Sequence, residues 1–267
     1  MPQFVLRNFA HESTGKVAAF DKAARRFSYV GVPSAAQVPN FNRDSFGDET
    51  VELLLGREVE TPAASALKQL IDSTSQAELR PEQVHALRRL VVVQAVRGTR
   101  QRRVNTLMTR EAADLISLGG LDFDEGDHLT QDSQLRITRS FLNAWQYLGC
   151  ASWDMEFLDF EIGSSSGLLL PDQGVVAFHP DLVTHGWTDS SIDEMSCLYM
   201  PISPHHALIL VNPLISRTVA VPDSQQLVAV AYGQADRYLY GQMDAAMRDH
   251  LRSMGPRDTP EGGAPTP

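Results

Sequence analysis

Hydrophobic positions along the chain change period twice. Residues 16–21 alternate, Val17 and Ala19 against Ala18 and Phe20. After a polar break at 22–26, the run Phe27-Ser28-Tyr29-Val30-Gly31-Val32 alternates again. Period-two alternation built from aromatic and β-branched residues predicts a β-hairpin over about 16–32. Residues 33–48, with Pro33, Pro39, Asn40, Asn42 and Gly47, read as a long irregular loop. From Thr50 the period is helical: Val51, Leu54, Leu55 and Val59 share a face, and Ala63, Ala66, Leu67 and Leu70 continue it after Pro62. Pro81 opens another helix, at a first-turn position where its missing N–H is not needed, with Val84, Leu87, Leu90 and Val91 on the apolar side. Further helices are predicted at 110–118, ended by Gly119-Gly120, and at 133–149, with an exposed acidic stretch at 122–132 between them. The period then returns to two, giving strands at 153–162, 167–171, 174–178, 196–200 and 207–211, before a last helix over about 224–254. This order predicts an α+β fold: an N-terminal β-hairpin, central helices, a C-terminal antiparallel β-meander packed on helices, and a terminal helix. A single domain is expected over 1–254, with 255–267 a disordered Pro/Gly/Thr-rich tail.

Composition narrows the function. Of 267 residues 43% are hydrophobic, enough for a sizeable core, while 33 acidic against 23 basic residues give a net charge of −10. That balance opposes a general nucleic-acid coat, which needs an excess of Lys and Arg, but permits a local basic patch. Cys150 and Cys197 stand alone, without the C-x-x-C spacing of a zinc site or a disulfide framework. The N-terminus lacks the basic and apolar regions of a secretory signal, and no apolar run approaches the ~20 residues of a membrane span. A cytoplasmic protein with no membrane partner is expected.

Several segments, in order, resemble a bacterial family of unknown function, domain of unknown function 4238. Pro2-Gln3-Phe4-Val5-Leu6-Arg7-Asn8-Phe9 is similar to its entry motif, and Val51-Glu52 through Glu60 and Ala63-Ala64 to its acidic helix. Gln94-Ala95-Val96-Arg97-Gly98-Thr99-Arg100 resembles its Gln-x-x-Arg-x-x-Arg helix. Trp153, then Leu168 through Val175, is similar to its strand–turn motif, and Tyr199-Met200-Pro201-Ile202-Ser203-Pro204 to its Phe-Pro-Leu-Ser-Pro element. Two departures stand out. The family's His, three residues before the Pro-Gln pair, has no counterpart, and the expectation is that translation starts upstream of Met1. At the turn, Pro171-Asp172-Gln173-Gly174 replaces Ser-Asp-Asn-Pro, so the carboxylate survives while its neighbours do not.

Among candidate chemical groups, Gln94 is the most informative, because it follows Val91-Val92-Val93 on what reads as a buried face. A buried amide needs partners or costs roughly 1–3 kcal/mol. Arg97, one turn later, needs a carboxylate or a bound anion. It either pairs with Glu60 or Asp172 and pins helix to sheet, or lines a pocket with Gln94 and holds a phosphate or carboxylate through its planar fork. Arg100, Arg102, Arg103 and Arg110 extend a basic tract, either complementing a helix C-terminus or forming a phosphate patch for a small anion or nucleic acid through Arg97, Arg100 and Arg103. No aromatic residue is interleaved there for base stacking. Asp172 ends an apolar strand, a common catalytic position, but Pro-Asp-x-Gly is equally a turn. His205 and His206 are adjacent and should face opposite ways, and His179, His185 and Asp172 lack metal-ligand spacing. No nucleophile elbow, phosphate loop or dinucleotide fingerprint is present, so no nucleotide cofactor is expected. Two function classes follow. One is a hydrolase or phosphodiesterase-type enzyme on an anionic, phosphate-containing substrate, with Asp172, Gln94, Arg97 and Glu60 as its site. The other is a non-catalytic binding or regulatory module, or an inactive divergent family member. A catalytic site should gather these four residues in one hollow; a module should scatter them.

Overall fold

The computed structural model describes residues 1–36, 53, 55–75, 78–97, 154–159, 167–178, 197–211 and 223–254. The order is α1 (Gln3–Arg7), β1 (Lys16–Asp21), β2 (Arg26–Gly31), α2 (Val32–Ala36), a π-helical turn (Gly56–Glu60), α3 (Thr61–Ser73) and α4 (Pro81–Arg97). It continues through β3 (Asp154–Asp159), β4 (Leu170–Pro171), β5 (Val176–Phe178), β6 (Cys197–Pro201), β7 (His206–Val211), α5 (Ser224–Gln234), β8 (Tyr238–Gly241) and α6 (Ala245–Ser253). The predicted α+β architecture is present, with the hairpin where alternation put it. The helices expected at 110–118 and 133–149, the acidic stretch at 122–132 and the tail at 255–267 lie outside the described residues.

The strands form two four-stranded antiparallel sheets, ordered β2-β1-β8-β4 and β3-β7-β6-β5. Consecutive pairing of β5, β6 and β7 is the meander. Strand side chains point alternately to the two faces, and along β1, β6 and β7 both faces are covered. Val17 and Ala19 of β1, Leu198 and Met200 of β6 and Leu208 and Leu210 of β7 join one core with α1 through α4. Their alternates Ala18, Phe20, Cys197, Tyr199, Ala207 and Ile209 join a second core with α5 and α6. The sheets are therefore the middle of three layers. That explains why β6 and β7 read as nearly unbroken apolar runs, a pattern that burial on both faces produces.

The terminal helix expected over 224–254 is two helices separated by a strand. α5 starts on a capping box, with Asp223 accepting from Gln226 N–H and Gln226 returning the bond. It stops at Gln234 because Ala235 turns extended (φ −56°, ψ 131°) and the chain enters β8, paired between β1 and β4. Asp244 then caps α6 by accepting from Met247 N–H at 2.7 Å. Two other boundaries moved. Val32–Ala36, at the start of the expected loop, is the short helix α2, and the strand expected at 167–171 is paired only at Leu170–Pro171.

Candidate functional site

β4 is the edge of one sheet and β5 the edge of the other, so the turn between them joins the two. Gly174 N–H donates to the Pro171 carbonyl at 2.8 Å, closing a four-residue turn. Gly174 sits at φ +82°, a conformation L side chains rarely adopt. Three side chains fix this turn. Asp172 Oδ1 accepts from Asp236 N–H at 2.9 Å, and Oδ2 accepts from Arg237 and Tyr238 N–H at 2.8 and 3.0 Å. Gln173 Nε2 donates to the Gln234 carbonyl at 2.8 Å. Gln234 in turn bonds both backbone groups of Ala177, accepting at 3.1 Å and donating at 2.6 Å, and so pairs the edge strand β5 as a neighbouring strand would.

Charge around the turn is largely committed. Burial raises the Asp172 pKa, against the three backbone N–H groups that favour the carboxylate. Lys22 Nζ donates to the Tyr232 and Ala235 carbonyls at 2.6 and 2.5 Å, a cation on the C-terminal end of α5. Burial lowers its pKa, opposed by the nearby Asp172 and Asp236. Asp21 accepts from Ala24 N–H at 3.0 Å and from Arg237 at 2.9 and 3.0 Å; those bonds, the backbone one foremost, hold its pKa low despite burial.

Gln94 approaches the same turn from the helical layer. It is buried at 2% exposure in α4, as its place after Val91–Val93 predicts. A Cβ built on Gly174 would lie 3.6 Å from Gln94 Oε1 and 3.9 Å from Met1 Cγ. The amide of α4, the start of the chain and the turn after Asp172 therefore adjoin one another. Arg97 is the last residue of α4, and its side chain lies outside the described residues, as do Arg100, Arg102, Arg103 and Arg110. Glu60 is half-buried and closes the π-helical turn that leads into α3. Of the four predicted residues, the structure brings Gln94 to the Asp172 turn. It aims the Asp172 carboxylate at the backbone of 236–238.

The two histidines differ, as adjacency requires. His206 Nδ1 lies 2.7 Å from Ser203 Oγ and its Nε2 lies 3.3 Å from Asp159, while its ring stacks on Phe157. Burial lowers its pKa, and Asp159 opposes that. His205 instead lies in the turn before β7 and lines a separate hollow with Lys16, Tyr29 and Gln242. Sequence reading passed over Lys16 and Tyr29, because nothing local marks two residues on different strands as neighbours. Among the described residues no group of three His, Cys, Asp or Glu side chains is placed to hold a metal ion, while His179 and His185 lie outside them. Cys197 is fully buried. No helix among the described residues is long and apolar enough to cross a membrane.

The fold and this junction define a three-layer α+β protein whose two sheets are tied by an Asp-centred turn and backed by a buried amide. The family model Protein of unknown function (DUF4238) matches residues 1–241, most of the chain, and the chain belongs to that family. No curated protein and no solved structure matches it. The segments that resemble the family's motifs also meet in space. Gly174 adjoins Gln94 and Met1, Asn8 Nδ2 donates to the Ile202 carbonyl at 2.9 Å, and Leu168 N–H donates to the Pro204 carbonyl at 2.7 Å.

Proposed function

We propose that the protein is a cytoplasmic binding module for an anionic, phosphate-containing ligand, taken at the junction of α4 with the 171–174 turn. Gln94 and Arg97 stand one helical turn apart in α4, an i, i+3 spacing in the sequence of the helix. A guanidinium offers paired donors to a phosphate ester, free or in a nucleic-acid backbone, and Arg100 and Arg103 add positive charge to the same tract. The observation that carries the non-catalytic reading is the state of Asp172. A general base must reach the proton it takes, and this carboxylate is bonded on both oxygens to backbone N–H groups.

A second reading, a hydrolase or phosphodiesterase-type enzyme using Asp172, Gln94, Arg97 and Glu60, is favoured by a different observation. Gln94 Oε1 faces Gly174, two residues past Asp172, and burial biases the Asp172 carboxyl toward the protonated form a general acid needs. Glu60 closes a π-helical turn, a feature frequent at functional sites.

The binding reading is tested with Arg97→Lys and Gln94→Leu. Titrating a phosphodiester into each, Arg97→Lys should weaken binding by about tenfold, the worth of one charge-assisted hydrogen bond, with thermal stability nearly unchanged. Equal loss of affinity and stability would instead make Arg97 a structural pin.

A further inference from the structure

We propose that a hollow on the hairpin sheet, apart from the Gln94 junction, binds a small molecule that joins an anionic group to a planar ring. The hollow has a volume of about 390 Å³, within the roughly 300–1,000 Å³ of small-molecule sites. Its shape follows from register. Ala18 pairs with Tyr29 on one side and Gly241 on the other, so the three share one face, and Lys16, two residues before Ala18, shares it as well. Ala18 keeps the floor low, while Leu169 Cδ2 lies against Gly241, 2.6 Å from where a Cβ would stand. Phe9, fully buried, extends the floor in apolar material.

The walls supply the chemistry. Lys16, His11 and His205 reach the hollow from three different segments, an ammonium and two imidazoles that each offer an N–H donor. Tyr29 is 56% exposed, an unusual state for so large a ring. Its hydroxyl accepts from Arg248 Nη2 at 2.5 Å, and the Arg248 guanidinium lies 5.8 Å from its ring centre. That fixes the Tyr29 hydroxyl and sets a positive charge beside the ring. The opposing carboxylate, Asp244, is engaged as the cap of α6. In a protein of net charge −10, a hollow with Lys16 on its wall, Arg248 bonded to its Tyr29 and one committed carboxylate favours an anion. The exposed Tyr29 ring favours a flat partner for it.

Phenyl phosphate is the probe, with inorganic phosphate and phenol as its separated halves. Two-dimensional NMR of the 15N-labelled full chain should show saturable shifts of the Tyr29, His205, Gly241 and Gln242 amides with phenyl phosphate. Phenol should produce them far more weakly. Lys16→Gln should weaken phenyl phosphate by about tenfold, and Tyr29→Ser should weaken it while leaving inorganic phosphate unchanged. Both residues are on the surface, so melting temperature should hold in each variant and report folding. Absence of saturable shifts, equal binding by phenol, unaltered affinity in both variants, or shifts confined to residues 94 and 172–174 would each overturn the assignment.

Discussion

Replacing Asp172 by alanine removes both oxygens that organise the chain after α5, and its effect can be worked from the geometry. Three N–H groups, of Asp236, Arg237 and Tyr238, lose their acceptor. At roughly 1 kcal/mol for each net hydrogen bond, the gross loss is about 3 kcal/mol. Two contributions reduce it. Asp236 and Arg237 lie near solvent, where water replaces the lost bonds, and removing a carboxylate disfavoured by burial returns part of the cost. A net destabilisation of about 2 kcal/mol is expected from urea unfolding at neutral pH. Asp172→Asn retains an acceptor and should lose less. Linkage supplies a second signature. The folded pKa of Asp172 lies above its unfolded value, so this group's contribution to stability declines as pH rises from the ordinary Asp range through the raised value. Either substitution should remove that component. An alanine variant as stable as the wild type but stripped of function would refute the reasoning, because it would show a carboxylate held for chemistry and not for the turn.

Two further outcomes follow from buried polar groups. Tyr199 is fully buried, its hydroxyl has no hydrogen-bond partner among the described residues, and burial pushes its pKa upward. Tyr199→Phe should raise the urea midpoint, with a gain of about 1 kcal/mol; a lowered midpoint would mean the hydroxyl is satisfied in solution. Asp21 has the opposite linkage to Asp172: its folded pKa is depressed, so its contribution is present above the unfolded value and is lost as pH falls through the folded one. An acid titration should therefore be shallower for Asp21→Asn than for wild type, and identical profiles would contradict a carboxylate stabilised by Ala24 N–H and Arg237.

Local pattern was enough for elements whose causes are local. Alternation in 16–32 placed the hairpin, Pro81 marked the start of α4, and the burial of Gln94 followed from its position after three valines. The break after Gln234 was not legible, because its cause is a carboxylate far back in the sequence that takes the N–H groups of 236–238. The aromatic run Tyr238-Leu239-Tyr240 and the cap at Asp244 were the only nearby signals, and helical spacing of Leu, Val and Ala masked them. The turn character of Asp172 could be weighed from Pro-Asp-x-Gly. Its three partners could not, since they arise from β4 pairing with β8. The hollow around Tyr29 was hidden for the same reason: its walls come from segments that only the register of β1 with β2 and β8 brings together.

The most direct test is to incubate the wild type and Asp172→Asn with bis(p-nitrophenyl) phosphate, following bound ligand by calorimetry and released p-nitrophenolate by absorbance. A binding module whose Asp172 serves the turn predicts saturable heat in both proteins and no release above the buffer rate. Release by the wild type that vanishes in a fully folded Asp172→Asn would contradict it and make Asp172 a catalytic group.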